Sequence, residues 1–268
     1  MIHQQEMLTS AEQEALAQRL LVAADQGQGI EPPSNDISYT FADAYRIRRL
    51  LVDKHLARGA RTVGHKIGFT AKAMQEMYGM TGPDFGQLLD FMVASGDLPV
   101  PVSDLSDTRV EPEIAFVLAE PLRGPGVGIE EVLQATRYVI AAIEVIDSRV
   151  GAVRARAVDS IADNAGAGLF VLGDRPTPPR SLDLTDIAIS MEVDGQALSG
   201  TSSDVMDHPA NAVAWLANKL VEIDGIGGYL EAGDVVLSGS ATRSVEVRAG
   251  SRLEAHFGPL GDIQLDFS

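Results

Sequence analysis

Arg109–Val117 reads R-V-E-P-E-I-A-F-V, and it constrains the fold more than any other stretch. Ile114, Phe116 and Val117 have the β-branched or aromatic character that suits a pleated, half-buried surface. As a strand, the segment projects Glu111 and Glu113 to one face and Val110, Ile114 and Phe116 to the other. Two carboxylates side by side in an apolar strand repel each other and are costly to bury. A hard divalent cation with oxygen ligands, such as Mg²⁺, Ca²⁺ or Mn²⁺, would remove both costs. The competing reading is an edge strand with both acids in water, and Pro112 between them favours an edge or a bulge.

The chain has 268 residues, of which 45% are apolar, enough for one large domain or a domain with an extension. Its net charge of −17 speaks against nucleic acid or an anionic membrane as partner. A small anionic substrate is still compatible, because one metal ion reverses the local field. With no cysteine, disulfides, zinc thiolates and thiol nucleophiles are excluded. No signal pattern and no membrane-length apolar run is present, so a soluble, cytoplasmic protein is expected.

Leu8–Gln26 is expected to be a helix with a Thr9/Glu12 capping box, and Thr40–Ala57 a second one capped by Thr40. From Val63 the pattern turns to strands. Val63–Phe69 contains Lys66 between two glycines, either a snorkelling edge residue or an active-site cation. Thr70–Tyr78 reads as a short helix and Thr81–Gly86 as a tight turn presenting Asp84. Ile129–Tyr138 reads as a helix. Val139–Asp147 reads as a buried strand in which Glu144 is hard to explain by solvation. Val158–Gly168 reads as a loop folded against a site. A hairpin over Leu182–Leu198, a helix over His208–Ile223 and strands over 233–240, 244–247, 252–257 and 263–267 complete the chain.

Strand runs outnumber strand–helix alternations, so the fold class is α+β. Residues 1–62 form a helical N-terminal subdomain and 63–268 the catalytic core. No dinucleotide-binding G-x-G-x-x-G, Walker loop or G-x-S-x-G is present, which disfavours nucleotide cofactors and a serine hydrolase.

Taken in order, K-I-G-F-T, G-P-D-F-G, R-V-E-P-E-I-A, E-V-I-D-S-R, A-D-N-A, D-H-P-x-N-A-V-A-W-L-A and G-D-V-V-L-S-G resemble one family. It is the 2-keto-4-pentenoate hydratase and 4-oxalocrotonate decarboxylase group of the fumarylacetoacetase superfamily. The resemblance spans residues 38 to 268. It implies a fumarylacetoacetase-type mixed β-sheet core, curled into a roll or sandwich, with a helical N-terminal extension. It also implies Mg²⁺ or Mn²⁺ held by Glu111, Glu113 and Glu144, with Lys66 and Asp84 catalytic. Arg149, Asn164, Ser238 and Arg243 are the substrate-binding candidates. Lys66, beside a dication and a buried wall, is expected to have a lowered pKa.

The implied activity is hydration of a 2-hydroxy-2,4-dienoate to a 4-hydroxy-2-oxo acid in meta-cleavage catabolism of aromatic compounds. Alternatives are decarboxylation of 2-oxo-3-hexenedioate and a non-catalytic partner subunit of a hydratase–decarboxylase complex. A carbon–carbon bond hydrolase would need a His–Glu dyad, for which His65 is the one histidine near the site. The family pattern D-N-A-S is here Asp163-Asn164-Ala165-Gly166, which removes a hydroxyl. The G-S-x-T-R run with Arg243 is similar to members that hydrate the diacid 2-oxohept-4-ene-1,7-dioate. A homo-oligomer is implied by the resemblance alone.

Overall fold

The computed structural model describes residues 7–77, 80–151, 155–223 and 228–268; the expected helix end at Tyr78 lies outside them. Both N-terminal helices start where their caps require. Helix α1 (Ser10–Gln26) opens on the reciprocal Thr9/Glu12 box and ends on left-handed Gly27. Helix α2 (Phe41–Ala57) opens on a second box, Thr40/Asp43. Their apolar stripes meet through Leu16, Leu20, Ile47 and Leu51, and the same cluster takes in Val150, Ile161 and Ala162 from far along the chain.

The remaining elements run β1 (Thr62–Gly68), α3 (Lys72–Met77), β2 (Asp84–Leu89), β3 (Thr108–Leu118), α4 (Ile129–Ala135) and β4 (Thr136–Asp147). After these come α5 (Ala157–Ala162), β5 (Ala167–Leu172), β6 (Ala188–Val193), β7 (Gln196–Thr201) and α6 (Pro209–Glu222). Strands β8 (Val235–Ser240), β9 (Val245–Glu246), β10 (Arg252–His256) and β11 (Asp262–Asp266) close the chain.

Two sheets result among the described residues. One is seven-stranded, in the order β2-β1-β8-β3-β4-β5 with β9 also on β3; the other is β11-β10-β6-β7. The larger sheet is mixed, since β1 runs parallel to β8 while its other pairings are antiparallel. Its inner face presents Val110, Ile114 and Phe116 to Ile189, Met191, Leu253, Ala255 and Leu265 of the smaller sheet. This sheet is curled until its ends approach. The backbone of Ala94, just after β2, donates to Phe170 of β5, and Asn164 bonds the backbone of Gln87 in β2.

Strand β3 is a central strand, so the edge reading fails. It is paired with β4 along its whole length. On the other side it is paired with β9 at Arg109–Val110 and with β8 from Glu113 onward. Pro112 falls in the gap between those two neighbours, where its missing N–H costs no ladder bond.

Three local expectations change. The helix begun at Ile129 stops at Ala135, and Thr136 already starts β4. Asp84–Gly86, expected in a turn, open strand β2. The expected loop over 158–168 contains helix α5 and leads into β5. In each case the side chains pack where tertiary partners make an otherwise ambiguous or helix-poor stretch regular.

Polar bonds add to the apolar contact between the N-terminal segment and the core. Buried Asp159 on α5 accepts from the Ser34 amide and hydroxyl at 2.9 and 2.5 Å and from the Tyr39 hydroxyl at 2.7 Å. Replacing Asp159 with Ala leaves these donors buried and unpaired. Urea denaturation of Asp159→Ala should show a loss of about 3 kcal/mol of stability.

Candidate metal centre and its cavity

Register makes the site. Glu111 of β3 lies directly opposite Glu144 of β4, and Glu113 is one same-face step further along β3. One carboxylate oxygen from each of the three lies within 4.8 Å of the others. Glu113 and Glu144 are buried to 1% exposure, and Glu111 is half-buried. Burial, then the Glu144 charge, pushes the Glu111 pKa up to about 7. Burial, with Glu144 and Glu111 beside it, drives Glu113 well above the carboxylate range.

Glu113 accepts one bond, from the Gly239 amide at 2.7 Å, while its other oxygen has no donor. Lys66 Nζ stands 3.1 Å from Glu144 Oε1, an ion pair without hydrogen-bond geometry, so both Glu144 oxygens also lack a donor. Three converging carboxylates with orphaned buried oxygens, and no nitrogen or sulfur among them, fit a hard divalent cation.

Lys66 sits on β1, two strands away from β3, and reaches Glu144 because the sheet curls. Its Nζ also donates to Ala165 O at 3.0 Å. Burial pulls the Lys66 pKa down, but Glu144, Asp84, Glu111 and Glu113 together raise it by more. The expected depression counts a dication beside Lys66; among the protein's own groups, the carboxylates stabilise the ammonium more than the buried wall disfavours it.

Asp84 opens β2 and is buried, with Oδ1 unpartnered and Oδ2 3.5 Å from the Ser160 hydroxyl. Burial raises its pKa, against the opposing pull of Lys66 and Arg48. Gly68 permits this approach, because a Cβ there would stand 2.3 Å from Asp84 Oδ1.

Glu111, Lys66 and Asp84 open on a cavity of about 500 Å³, whose wall also includes Arg109, Ser160 and Arg243. The other three substrate candidates are placed elsewhere. Arg149 is buried and spent on structure: its Nε and backbone N–H donate to the two oxygens of Asp163, and its Nη atoms to Ala167 O and Asp163 O. Asn164 bonds both the N–H and the C=O of Gln87 at 2.8 Å. Ser238 is fully buried and off the cavity wall, where Ser240 stands instead. No histidine lines the cavity among the described residues. His65 faces Asp234 at 3.9 Å, and burial lowers its pKa to about 3, which removes the dyad a hydrolase needs.

Two wall residues were not anticipated. Arg109 shares a face with Glu111, so strand parity alone could have flagged it. Its guanidinium donates to Ser244 Oγ and O at 2.7 and 3.1 Å. Ser160 had no sequence signal, since nothing in the chain's order tells which turn of α5 faces β2.

Comparison with known proteins gives a consistent picture. The Fumarylacetoacetate (FAA) hydrolase C-terminal family matches residues 83–267. The chain is 42% identical to an Escherichia coli 2-oxo-hept-4-ene-1,7-dioate hydratase over 94% of this chain and 96% of that one. It is 39% identical to a 2-keto-4-pentenoate hydratase of Paraburkholderia phymatum, covering 95% and 97% of the two chains. Among solved structures, the 4-oxalocrotonate decarboxylase of Pseudomonas putida G7, complexed with magnesium and adipate, superposes with a TM-score of 0.92. That pair is 32% identical, covering 98% of this chain and all of the other.

Converting Glu144 to Gln keeps the shape and removes one charge from the carboxylate cluster. Calorimetric titration with Mn²⁺ should show affinity weakened about 100-fold or more, with the fold retained by circular dichroism.

Proposed function

The chain belongs to the fumarylacetoacetate hydrolase family, and within it we propose a hydro-lyase that adds water to a 2-hydroxy-2,4-dienoate, yielding a 4-hydroxy-2-oxo acid. Its setting is meta-cleavage catabolism of aromatic compounds. The observation that carries this reading is the convergence of three carboxylates, Lys66 and Asp84 around one cavity, in a chain alignable end to end with hydratases.

Glu111, Glu113 and Glu144 would hold Mg²⁺ or Mn²⁺. Bound there, the ion supplies Lewis-acid stabilisation of negative charge developing at the substrate's 2-oxygen. The protein's own groups handle protons. The dienoate gains a proton at its far carbon from Lys66 Nζ, which faces the cavity as an ammonium, and the proton leaving the 2-hydroxyl restores that ammonium. Water then adds across the conjugated alkene, hydroxyl to C4 and proton to C3. The free Oδ1 of Asp84 accepts a hydrogen bond from that water, takes its proton as the C–O bond forms and passes that proton to C3, a role its raised pKa suits.

Arg109 and Arg243 on the same wall support a diacid as the preferred substrate. Arg109 lies one same-face step from Glu111, about 6.6 Å along the strand, so a distal carboxylate could reach it while the other end meets the glutamates. Decarboxylation of 2-oxo-3-hexenedioate is kept as a second reading, because the whole-chain likeness to the decarboxylase structure favours it.

The test is an ultraviolet assay with Mg²⁺ on 2-hydroxypenta-2,4-dienoate and on the seven-carbon dienedioate, with products identified by mass. Loss of absorbance with gain of one water is expected, and a chelator should abolish it. Release of carbon dioxide from 2-oxo-3-hexenedioate without hydration of either dienoate would replace this reading with the second. Lys66→Met should lower turnover about 1,000-fold and leave Mn²⁺ binding intact. Arg243→Gln should raise KM for the diacid about tenfold and leave the monoacid unchanged.

A further inference from the structure

Strand β2 is the end strand of its sheet: β1 pairs with one side of it, and among the described residues no strand pairs with the other. Successive residues of a strand turn their N–H and C=O groups to opposite sides. Phe85 and Gln87 therefore offer theirs to the same, open side, and an open edge of buried polar groups must be satisfied somehow.

Two side chains satisfy it. Arg48 Nη1, from α2, donates to Phe85 O at 2.7 Å. The Asn164 amide accepts from Gln87 N–H and donates to Gln87 O, both at 2.8 Å, as a paired strand would. Gly86 between them has no side chain, and a Cβ there would stand 2.2 Å from Asn164 O.

Arg48 is an expensive choice for this task. It is completely buried, its Nε and Nη2 have no partner, and no carboxylate forms an ion pair with it among the described residues. Its guanidinium lies 3.8 Å over the Phe85 ring, which also stacks on Tyr45 and meets the edge of Trp215. A buried cation with so few bonds is commonly matched or bettered in stability by an apolar residue of similar volume. The feature that distinguishes this place is its neighbour: the residue before Phe85 is Asp84, whose side chain turns the opposite way, into the cavity.

We propose that Arg48 and Asn164 are positioning residues for Asp84, clamping the open edge of the strand it begins. Helix α2 of the N-terminal segment thereby takes part in the reaction. The clamp leaves Asp84 with a fixed backbone and an unshared Oδ1. The positive charge behind the strand also opposes the effect of burial on that carboxyl. The catalytic part of this inference rests on the hydratase reading.

The test uses the full-length, Mg²⁺-loaded protein. Arg48→Met keeps packing on the Phe85 ring and removes the donor; Arg48→Lys keeps a donor; Asn164→Gly removes the amide while tolerating the positive φ of that position. Expected for Arg48→Met is a kcat about tenfold or more lower, with KM for the dienoate and Mn²⁺ affinity within about threefold. Arg48→Lys should recover most of the loss. Amide hydrogen exchange over residues 84–89 should be about tenfold faster in Arg48→Met and in Asn164→Gly, with the rest of the large sheet unchanged. Normal kcat in folded Arg48→Met, or a loss that Lys does not recover, overturns the proposal, as does unchanged exchange over 84–89. If Arg48→Met does not fold, Asn164→Gly is held to the same criteria. If the wild-type protein hydrates no dienoate, the hydratase reading falls, and the exchange comparison still decides whether the edge is clamped.

Discussion

Mutual repulsion among Glu111, Glu113 and Glu144 is the constraint on which the rest of the structure depends. At separations up to 4.8 Å, two unit charges repel by about 3–4 kcal/mol at an effective dielectric near 20. Strands β3 and β4 hold the three in place because their other residues are committed. Val110, Ile114 and Phe116 are locked between the sheets, and Val139, Ala141, Ile143 and Val145 belong to the same core. A one-residue slip of either strand would turn that whole set onto the face of the carboxylates. The apolar pattern thus fixes the register, and the register confines the charges. Lys66 offsets part of the repulsion at Glu144, and a divalent cation would offset the rest.

The second requirement is closure of the larger sheet. Asp84 and Glu111 lie on strands far apart in the sheet order, and only strong curl brings both to one cavity. The segment 163–167 maintains that curl. Arg149 holds it from one side through Asp163 and Ala167, Lys66 bonds Ala165 O, and Asn164 ties it to β2. Polar residues that resemble substrate contacts in the sequence are therefore mostly structural here. Their number reflects how many backbone groups an irregular buried segment leaves to be satisfied.

That distinction explains which of the expected residues the structure brings together. Glu111, Glu113, Glu144, Lys66 and Asp84 were legible because each breaks an apolar or glycine-framed pattern with a charge, and a buried charge needs a reason. Arg149, Asn164 and Ser238 were legible only as polar residues within motifs. A motif records that a side chain is required, without saying whether it is required by a ligand or by the backbone beside it. Arg48 gave no signal, since an arginine within an amphipathic helix reads as a solvated one.

The sequence by itself determined the capped helices, the strand character of the central segments, the α+β class, and the set of charges that solvation does not explain. Those follow from local periodicity, capping and the cost of burying charge, which act over a few residues. The tertiary structure alone decided that β3 is central, that Glu111 faces Glu144, that β2 is an end strand, and that Arg48 and Asn164 cover it. Each depends on which strands become neighbours. That choice is made by burial of apolar surface summed over residues more than 100 positions apart, such as Ile114 and Leu253 in one core, and no local pattern encodes it.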